Sequence, residues 1–335
     1  MTDEAFSRRQ FMATSGLAAT AGLAGCLGGD LDELSVAYMP IYPDLQYFVM
    51  EGEGYFEEVD SDIDAREFTN GPAIVQAFGG GEIDIAMFGM VPSMIVSDRG
   101  IPAKVTAANI KEPMGIMGHR DFNALFEEHG ADAFDMWAEE TGDKFTFGTF
   151  PQGSTPDVLL RYWLRDIVGI DPETDVDILE IGGANAVWQA IANGEIDGTS
   201  IMEPVPTIAQ EEGSPVEMLR TATEVMPGQP AAVVTMADEV RDTEIAEQFL
   251  RQHVRATEFI EANPDRTAEH VESGIGMPVD RARKALDSPL SNFITDPREI
   301  EEGTKIFSQF AHENGQIDEE LSMDQIFDYS VYDSL

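Results

Sequence analysis

Short apolar runs alternate with segments of helical periodicity along most of this chain. In the first third, the apolar runs predict strands at 34–38, 63–68, 83–88 and 103–108, and the periodic segments predict helices at 45–54, 70–78 and 93–98. Glycines 79–81 end the second helix, and residues 89–92 are predicted to form a loop. Strands that alternate with helices in this way are typical of a parallel α/β sheet.

The same order of elements returns around residues 145–164. A strand at 145–147 and a Gly- and Pro-containing loop at 148–153 precede Ser154, Thr155 and Pro156, which are typical of a helix start. The free N–H groups at such a start can hold an anion or a polar ligand head, or the start can be an ordinary cap. Further strands are predicted at 176–181, 196–202 and 231–235, the last rejoining the first sheet, and further helices at 131–141, 182–192, 239–262, 266–274, 278–287, 298–314 and 323–329.

One sequence pattern occurs twice. Gln-Ala followed by Gly-Glu-Ile-Asp spans residues 76–84 and again 189–197, 113 positions later. Each copy predicts a helix, a glycine turn and a buried strand, and its position at the start of the strand indicates a structural role. Open parallel sheets bind ligands beyond the carboxyl ends of their strands. The loops 89–93 and 203–206 are therefore expected to face one another across a cleft.

The N-terminal residues have the order of an export signal. Arg8 and Arg9 precede an apolar stretch at 17–23 and the sequence Leu-Ala-Gly-Cys that ends at Cys26. The pattern resembles a twin-arginine signal peptide with a lipobox. That resemblance implies removal of residues 1–25, lipid modification of Cys26, a tether at 26–33, and anchoring at the outer face of the cytoplasmic membrane.

Charge narrows the possible partners. The chain has 63 acidic and 20 basic residues and a formal net charge of −43, which excludes nucleic acid as an expected partner. The carboxylates are spread along a chain of ordinary hydrophobic content, which favours a solvated acidic coat on a folded core and a high-salt environment. We expect a monomer with no membrane-spanning segment after the signal.

Several short motifs, taken in order, resemble one family. They are Gly-Tyr-Phe at 54–56, Gly71-Pro72, the two Gly-Glu-Ile-Asp motifs, Gly89 and Gly153-Ser154-Thr155. The chain resembles substrate-binding proteins of ABC importers in the nitrate, sulfonate, taurine and bicarbonate group. The resemblance implies a two-lobed periplasmic-binding-protein fold with lobe 1 at 34–110, lobe 2 at 111–227, and a return to lobe 1 with C-terminal helices at 228–335. It also implies a small-molecule ligand, a permease partner and hinge closure.

The family's pocket, carried over position by position, gives candidate ligand-binding residues. They are Pro40, Tyr42, Asn70, Gly71, Gly89, Met90, Gln152, Gly153, Ser154, Thr155, Glu203 and Gln229. Tyr42, Tyr47 and Phe150 could stack on a planar ligand or pack in the core.

Two carboxylates depart from an anion-binding pattern. Asp157, in the first turn of its helix, would compete with a bound anion, and Glu203 adds a second carboxylate near the cleft. No Lys or Arg is evidently directed at the cleft, and Arg161 and Arg165 are expected on the helix surface. These carboxylates disfavour a strongly anionic ligand, and a neutral, zwitterionic or cationic organic solute is plausible.

Two other functions are considered beside solute delivery. Enzymes of this fold make pyrimidine or menaquinone precursors, but no histidine pairs with a nucleophile here and no His/Cys metal spacing occurs. We therefore expect no catalysis, no cofactor and no metal. A solute sensor that does not feed a transporter stays open.

Overall fold

The alternating elements fold into two five-stranded sheets. The structure is a computed structural model that describes residues 32–335. Its strands are Glu33–Tyr38 (β1), Asp62–Glu67 (β2), Ile85–Gly89 (β3), Ala103–Ala108 (β4), Gly115–His119 (β5), Thr146–Thr149 (β6), Asp177–Glu180 (β7), Gly198–Ile201 (β8), Val216–Arg220 (β9) and Ala232–Ala237 (β10). Sheet 1 has the order β2-β1-β3-β10-β4, and sheet 2 has the order β7-β6-β8-β5-β9. We call each sheet with its flanking helices a lobe.

Helices flank both sheets. They are Leu45–Gly52 (α1), Gly71–Gly79 (α2), Met90–Asp98 (α3), Arg120–His129 (α4), Ala133–Thr141 (α5), Thr155–Tyr162 (α6), Ala184–Asn193 (α7), Val205–Glu212 (α8), Ala222–Val225 (α9), Asp238–Arg241 (α10), Glu244–Ala262 (α11), Pro264–Ile275 (α12), Val279–Leu286 (α13), Glu301–Glu313 (α14), Met323–Ile326 (α15) and Ser330–Asp333 (α16). Within residues 32–335, no helix combines the length and apolar character that crossing a membrane requires. The predicted two-lobed α/β fold is confirmed, whereas the exact lobe boundaries stay predictions. Arg8, Arg9 and Cys26 lie outside the described residues.

Both sheets are mainly parallel, as predicted, and each contains one antiparallel strand. β10 is antiparallel to β3 and β4, and β5 is antiparallel to β8 and β9. Both strands are the first to follow a crossing between the lobes. The chain therefore enters each sheet from the side of the other lobe, which reverses the strand's direction.

Some elements differ from the expectation. α3 begins at Met90 and includes the predicted loop, because Pro92 lies in the first turn, where a missing N–H breaks no helical bond. The predicted helix 239–262 is interrupted between α10 and α11, and the helix predicted at 323–329 ends at Ile326. β5, β9, α4, α8, α9 and α16 were not predicted.

The repeated Gly-Glu-Ile-Asp motif joins strands in both lobes in the same way. Asp84 accepts a hydrogen bond from the Ser35 amide at 2.7 Å, and Asp197 accepts one from the Thr146 amide at 2.9 Å. Gly81 and Gly194 both have φ of +68°, a backbone conformation that glycine adopts without strain. Each aspartate thus fixes the start of a neighbouring strand, in keeping with the structural role expected for the motif.

The two crossing segments run side by side between the lobes. The Asn109 amide donates to the Ala232 carbonyl at 3.0 Å, and the Glu112 amide donates to the Gln229 carbonyl at 2.8 Å. The Gln229 side chain is fully buried and bonds both the N–H and the C=O of Met114. This paired backbone forms a two-stranded connection between the lobes.

Candidate functional site

A cleft of about 310 Å³ lies between loops of the two sheets. From sheet 1, Pro40 and Tyr42 come from the loop after β1, and Thr69 follows β2. From sheet 2, Phe150 follows β6, and the N-terminal residues of α7 follow β7. The contributing loops thus stand at the carboxyl ends of their strands, where open α/β sheets bind ligands.

Tyr42 is held firmly in the wall of the cleft. Its hydroxyl lies 2.9 Å from the Ser291 hydroxyl, its ring centre is 5.7 Å from that of Phe293, and the residue is 2% exposed. Burial raises the pKa of Tyr42, so the hydroxyl stays protonated. Tyr47 is instead fully buried and stacks on Tyr38 at 3.7 Å between ring centres, so it belongs to the core.

The N-terminus of α7 faces the cleft without a side-chain cap. Gly183, the N-cap residue, has φ of +102° and supplies no side-chain hydrogen bond. Gly182, Ala184 and Asn185 line the cleft beside it. The first amides of a helix have no partner within the helix, so these N–H groups can bind a polar or negative ligand group.

Glu203 is a buried carboxylate in the same cleft. The residue is 2% exposed, and its Oε2 accepts the Thr207 amide at 3.1 Å. Burial raises the pKa of Glu203, while hydrogen bonds to Ser288 and Thr207 oppose the shift. In the described part of the chain, no Lys, Arg or His nitrogen forms a salt bridge with this carboxylate.

A smaller, mostly apolar chamber of about 40 Å³ adjoins the cleft. The two spaces share Ile41, Phe150 and Met202 as lining residues. Four predicted ligand residues line this inner chamber, and they come from both lobes: Gly71, Gly89, Ser154 and Thr155.

Thr155 links the two lobes at this chamber. Its Oγ1 accepts a hydrogen bond from the Val91 amide at 3.3 Å. Val91 lies in the first turn of α3, whose own N-cap residue, Gly89, has no side-chain cap. A hydroxyl of lobe 2 therefore caps a helix of lobe 1.

The expected repulsion between Asp157 and an anion is offset by an ion pair. Asp157 is fully buried, and its carboxylate bonds the Gly153 amide at 3.2 Å and the Arg161 Nε at 2.8 Å. Burial raises the pKa of Asp157, and the Arg161 guanidinium opposes this shift. The prediction of a surface position is wrong for Arg161, whose side chain is 14% exposed, whereas Arg165 is 29% exposed and pairs with two carboxylates.

The remaining predicted ligand residues have local roles. Asn70 caps α2 by accepting the Ala73 amide, and Met90 is fully buried in the core. Gln152 is exposed, and Gly153, with φ of +80°, gives its amide to Asp157. These residues and Gln229 do not line the cleft or the inner chamber, and their contact with ligand stays a prediction.

Several lining residues were missed by the sequence reasoning. The repeat could have indicated Gly183 and Ala184, because they lie 113 positions after the candidates Asn70 and Gly71. Met277 and Arg281 come from the segment around α13 and carry no local signal. The expectation that no basic residue reaches the cleft is wrong, because Arg281 lines it.

Arg281 is nevertheless neutralised by lobe 2. Its Nε lies 2.6 Å from Glu211, and its second guanidinium nitrogen lies 3.3 Å from Glu212. Lys284 also pairs with Glu211 at 2.5 Å. These pairs join α13 to α8 at the rim of the cleft.

Comparisons with known proteins agree with this geometry. The model of the NMT1-like family matches residues 28–274. A protein of Brucella abortus described as a binding protein is 26% identical over 220 residues, and the match covers 65% of this chain and 63% of the relative. The chain thus spans less than two thirds of the length of such curated relatives.

Solved structures share the fold. The periplasmic aliphatic sulphonate binding protein SsuA of Escherichia coli superposes with a TM-score of 0.72 at 17% identity, covering 90% of this chain and 99% of that one. The periplasmic nitrate-binding protein NrtA of Synechocystis superposes with a TM-score of 0.73 at 14% identity, covering 91% of this chain and 88% of that one.

Within residues 32–335, no group of three or more His, Cys, Asp or Glu is placed to hold a metal ion.

Proposed function

Because the chain belongs to the NMT1-like family, we propose that it is the solute-binding protein of an ABC importer. It captures a small organic or oxyanion solute in the cleft between its lobes and presents the closed form to a permease. The proteins that share its fold include binding proteins of import systems. The proposal includes export, lipidation at Cys26 and anchoring at the outer face of the membrane, for which the N-terminal sequence pattern is the support.

One observation carries the proposal: both lobes line a single cleft and touch each other across its inner end. A solute that contacts both walls stabilises the closed form, because only the closed form brings the two walls together. Tyr42 and Thr69 on one wall face Phe150 and Asn185 on the other. The cleft volume of about 310 Å³ is in the range of small-molecule sites.

The walls indicate how such a solute would be held. Aromatic and apolar side chains would bury its body, and the first amides of α7 would bind a polar end. The lining contains no assembled nucleophile and base, so the arrangement favours binding over catalysis.

The test is a thermal-shift screen of residues 27–335 in molar KCl. The panel holds nitrate, bicarbonate, taurine, alkane and aryl sulfonates, pyrimidines, riboflavin, polyamines and amino acids. A solute at about 100 times its Kd should stabilise the protein by about 2.7 kcal/mol.

A matched pair of variants locates the binding site. Asn185→Trp places an indole in the cleft at the start of α7, and Asn193→Trp places one at the exposed far end of the same helix. We expect the first variant to lose the shift and the second to keep it. Equal shifts in both variants would move the solute away from this cleft.

A further inference from the structure

We propose that the solute carries a protonated amine that pairs with the Glu203 carboxylate. This inference rests on the proposed function of the cleft and specifies the class of solute. It starts from the contrast between two buried carboxylates close to the cleft, one with a cationic partner and one without.

Asp157 and Glu203 occupy similar positions, but only Asp157 has a cationic partner. Both lie at the start of a lobe 2 helix, and they are 0% and 2% exposed. Asp157 has the Arg161 guanidinium at 2.8 Å. Glu203 has only hydrogen-bond donors around it in the described part of the chain, namely the Thr207 amide and the hydroxyls of Thr207 and Ser288. A buried carboxylate without a cation is unfavourable, so a cationic ligand gains by supplying one.

The protein's own cation at this cleft is engaged elsewhere. Arg281 lines the cleft with Glu203 but is bound to Glu211 and Glu212. Two carboxylates thus hold the guanidinium, and Arg281 forms no ion pair with Glu203.

The surroundings of Glu203 also favour a cation. The aromatic residues Tyr42 and Phe150 line the same cleft, and aromatic faces attract cations. The adjoining chamber can take an apolar part of the solute, and the first amides of α7 can take a negative group. A zwitterion with its amine at Glu203 satisfies all of these features.

A purely structural role predicts something different. Glu203 could be present only to cap α8 through the Thr207 amide. Glu203→Gln keeps an acceptor oxygen at the same place and removes the charge, so it separates charge recognition from capping. Glu195→Gln, at an exposed glutamate beside the opposite strand ends of the same lobe, is the matched control.

The experiment measures affinities by calorimetry for pairs that differ in the amine. The pairs are taurine and ethanesulfonate, β-alanine and propionate, and 5-aminomethyl- and 5-hydroxymethyl-2-methylpyrimidin-4-amine. We expect the amine member to bind at least tenfold more tightly than its partner. Glu203→Gln should weaken the amine at least tenfold and its partner less than twofold, and Glu195→Gln should change neither by more than twofold.

Two results would overturn the inference. One is that the tightest-binding compound lacks a cationic nitrogen and its binding is still abolished by Asn185→Trp. This result would leave the proposed function intact. The other is unchanged amine affinity in Glu203→Gln. Failure of every compound to bind would count against the proposed function.

A ligand-free measurement decides the case in which nothing binds. If Glu203 is retained for a ligand, removing its charge costs the free protein nothing, and the melting temperature of Glu203→Gln stays within about 2 °C of the wild type or rises. A fall of more than about 5 °C would show that the negative charge itself stabilises the ligand-free fold and would refute the inference.

Discussion

Replacing Thr155 with valine should loosen the closed form of the protein without unfolding either lobe. Valine keeps the shape of threonine and removes the hydroxyl that accepts the Val91 amide across the lobes. Thr155 is 4% exposed, so solvent does not replace the lost acceptor while the lobes stay together. In an open form, both groups reach water, and the substitution costs little.

The magnitude follows from this difference between the two forms. A buried N–H left without a partner costs about 1–3 kcal/mol, and only the closed form bears that cost. A differential of that size corresponds to about a 5- to 150-fold change in an equilibrium constant. Opening of the lobes should become more frequent by this factor, and the affinity for any solute that requires closure should fall in proportion to the fraction of molecules that stays closed.

Hydrogen exchange measures the opening directly and needs no ligand. Peptides that contain the first turn of α3 should exchange about 5- to 150-fold faster in Thr155→Val than in the wild type. Thr155→Ser should restore slow exchange, and Thr174→Val, an exposed threonine of lobe 2, should have no effect. Wild-type exchange at Val91 in a folded Thr155→Val protein would refute the role of this contact in closure.

Three further predictions concern stability and are measured by denaturant unfolding. Burial lowers the pKa of His253 to about 3, so below pH 6.5 the unfolded chain binds a proton that the folded chain does not, and stability falls as the pH drops. Relative to His253→Gln, the wild type should lose about 3 kcal/mol between pH 7.5 and pH 4, and a constant difference would contradict this. Gln229→Leu should cost about 2–5 kcal/mol because two backbone groups lose their partner, whereas exposed Gln152→Leu should change stability by less than about 0.5 kcal/mol. Asp84→Ala and Asp197→Ala should each cost about 1–3 kcal/mol, and a cost in only one lobe would show that the two contacts are not equivalent.

The sequence predicted most of the sheets because buried parallel strands are continuous apolar runs. β5 was missed because its glycines, Gly115 and Gly118, leave only two apolar residues in the strand. Tertiary packing leaves no room for a side chain at these glycines, since a Cβ at Gly115 would lie 2.4 Å from the Met218 sulfur and one at Gly118 would lie 2.5 Å from Asn123. Such contacts are set by distant residues and leave no local pattern.

The part of the cleft that is formed by loops after strands could be predicted from the sequence. The part that is formed by a distant C-terminal helix could not. Loops that follow parallel strands meet at one edge of a sheet, so the amino-acid sequence alone indicated the regions of Tyr42 and Glu203. The contribution of Arg281 comes from a helix more than two hundred residues after the first cleft loop, and its charge is compensated by Glu211. The ion pair between Asp157 and Arg161 was also missed, because the i,i+4 spacing on a helix is the same for a buried pair and for an exposed one.

The two aspartate contacts at Ser35 and Thr146 have a consequence for protein engineering. They lie at the beginnings of strands, whereas the sheet loops that line the cleft follow strand ends. Lining positions such as Pro40 and Asn185 can therefore be randomised in a library while the anchoring ends of the sheets stay untouched. The contacts that anchor the sheets and the residues that shape the cleft thus lie at opposite ends of the same strands, so the two can be altered separately.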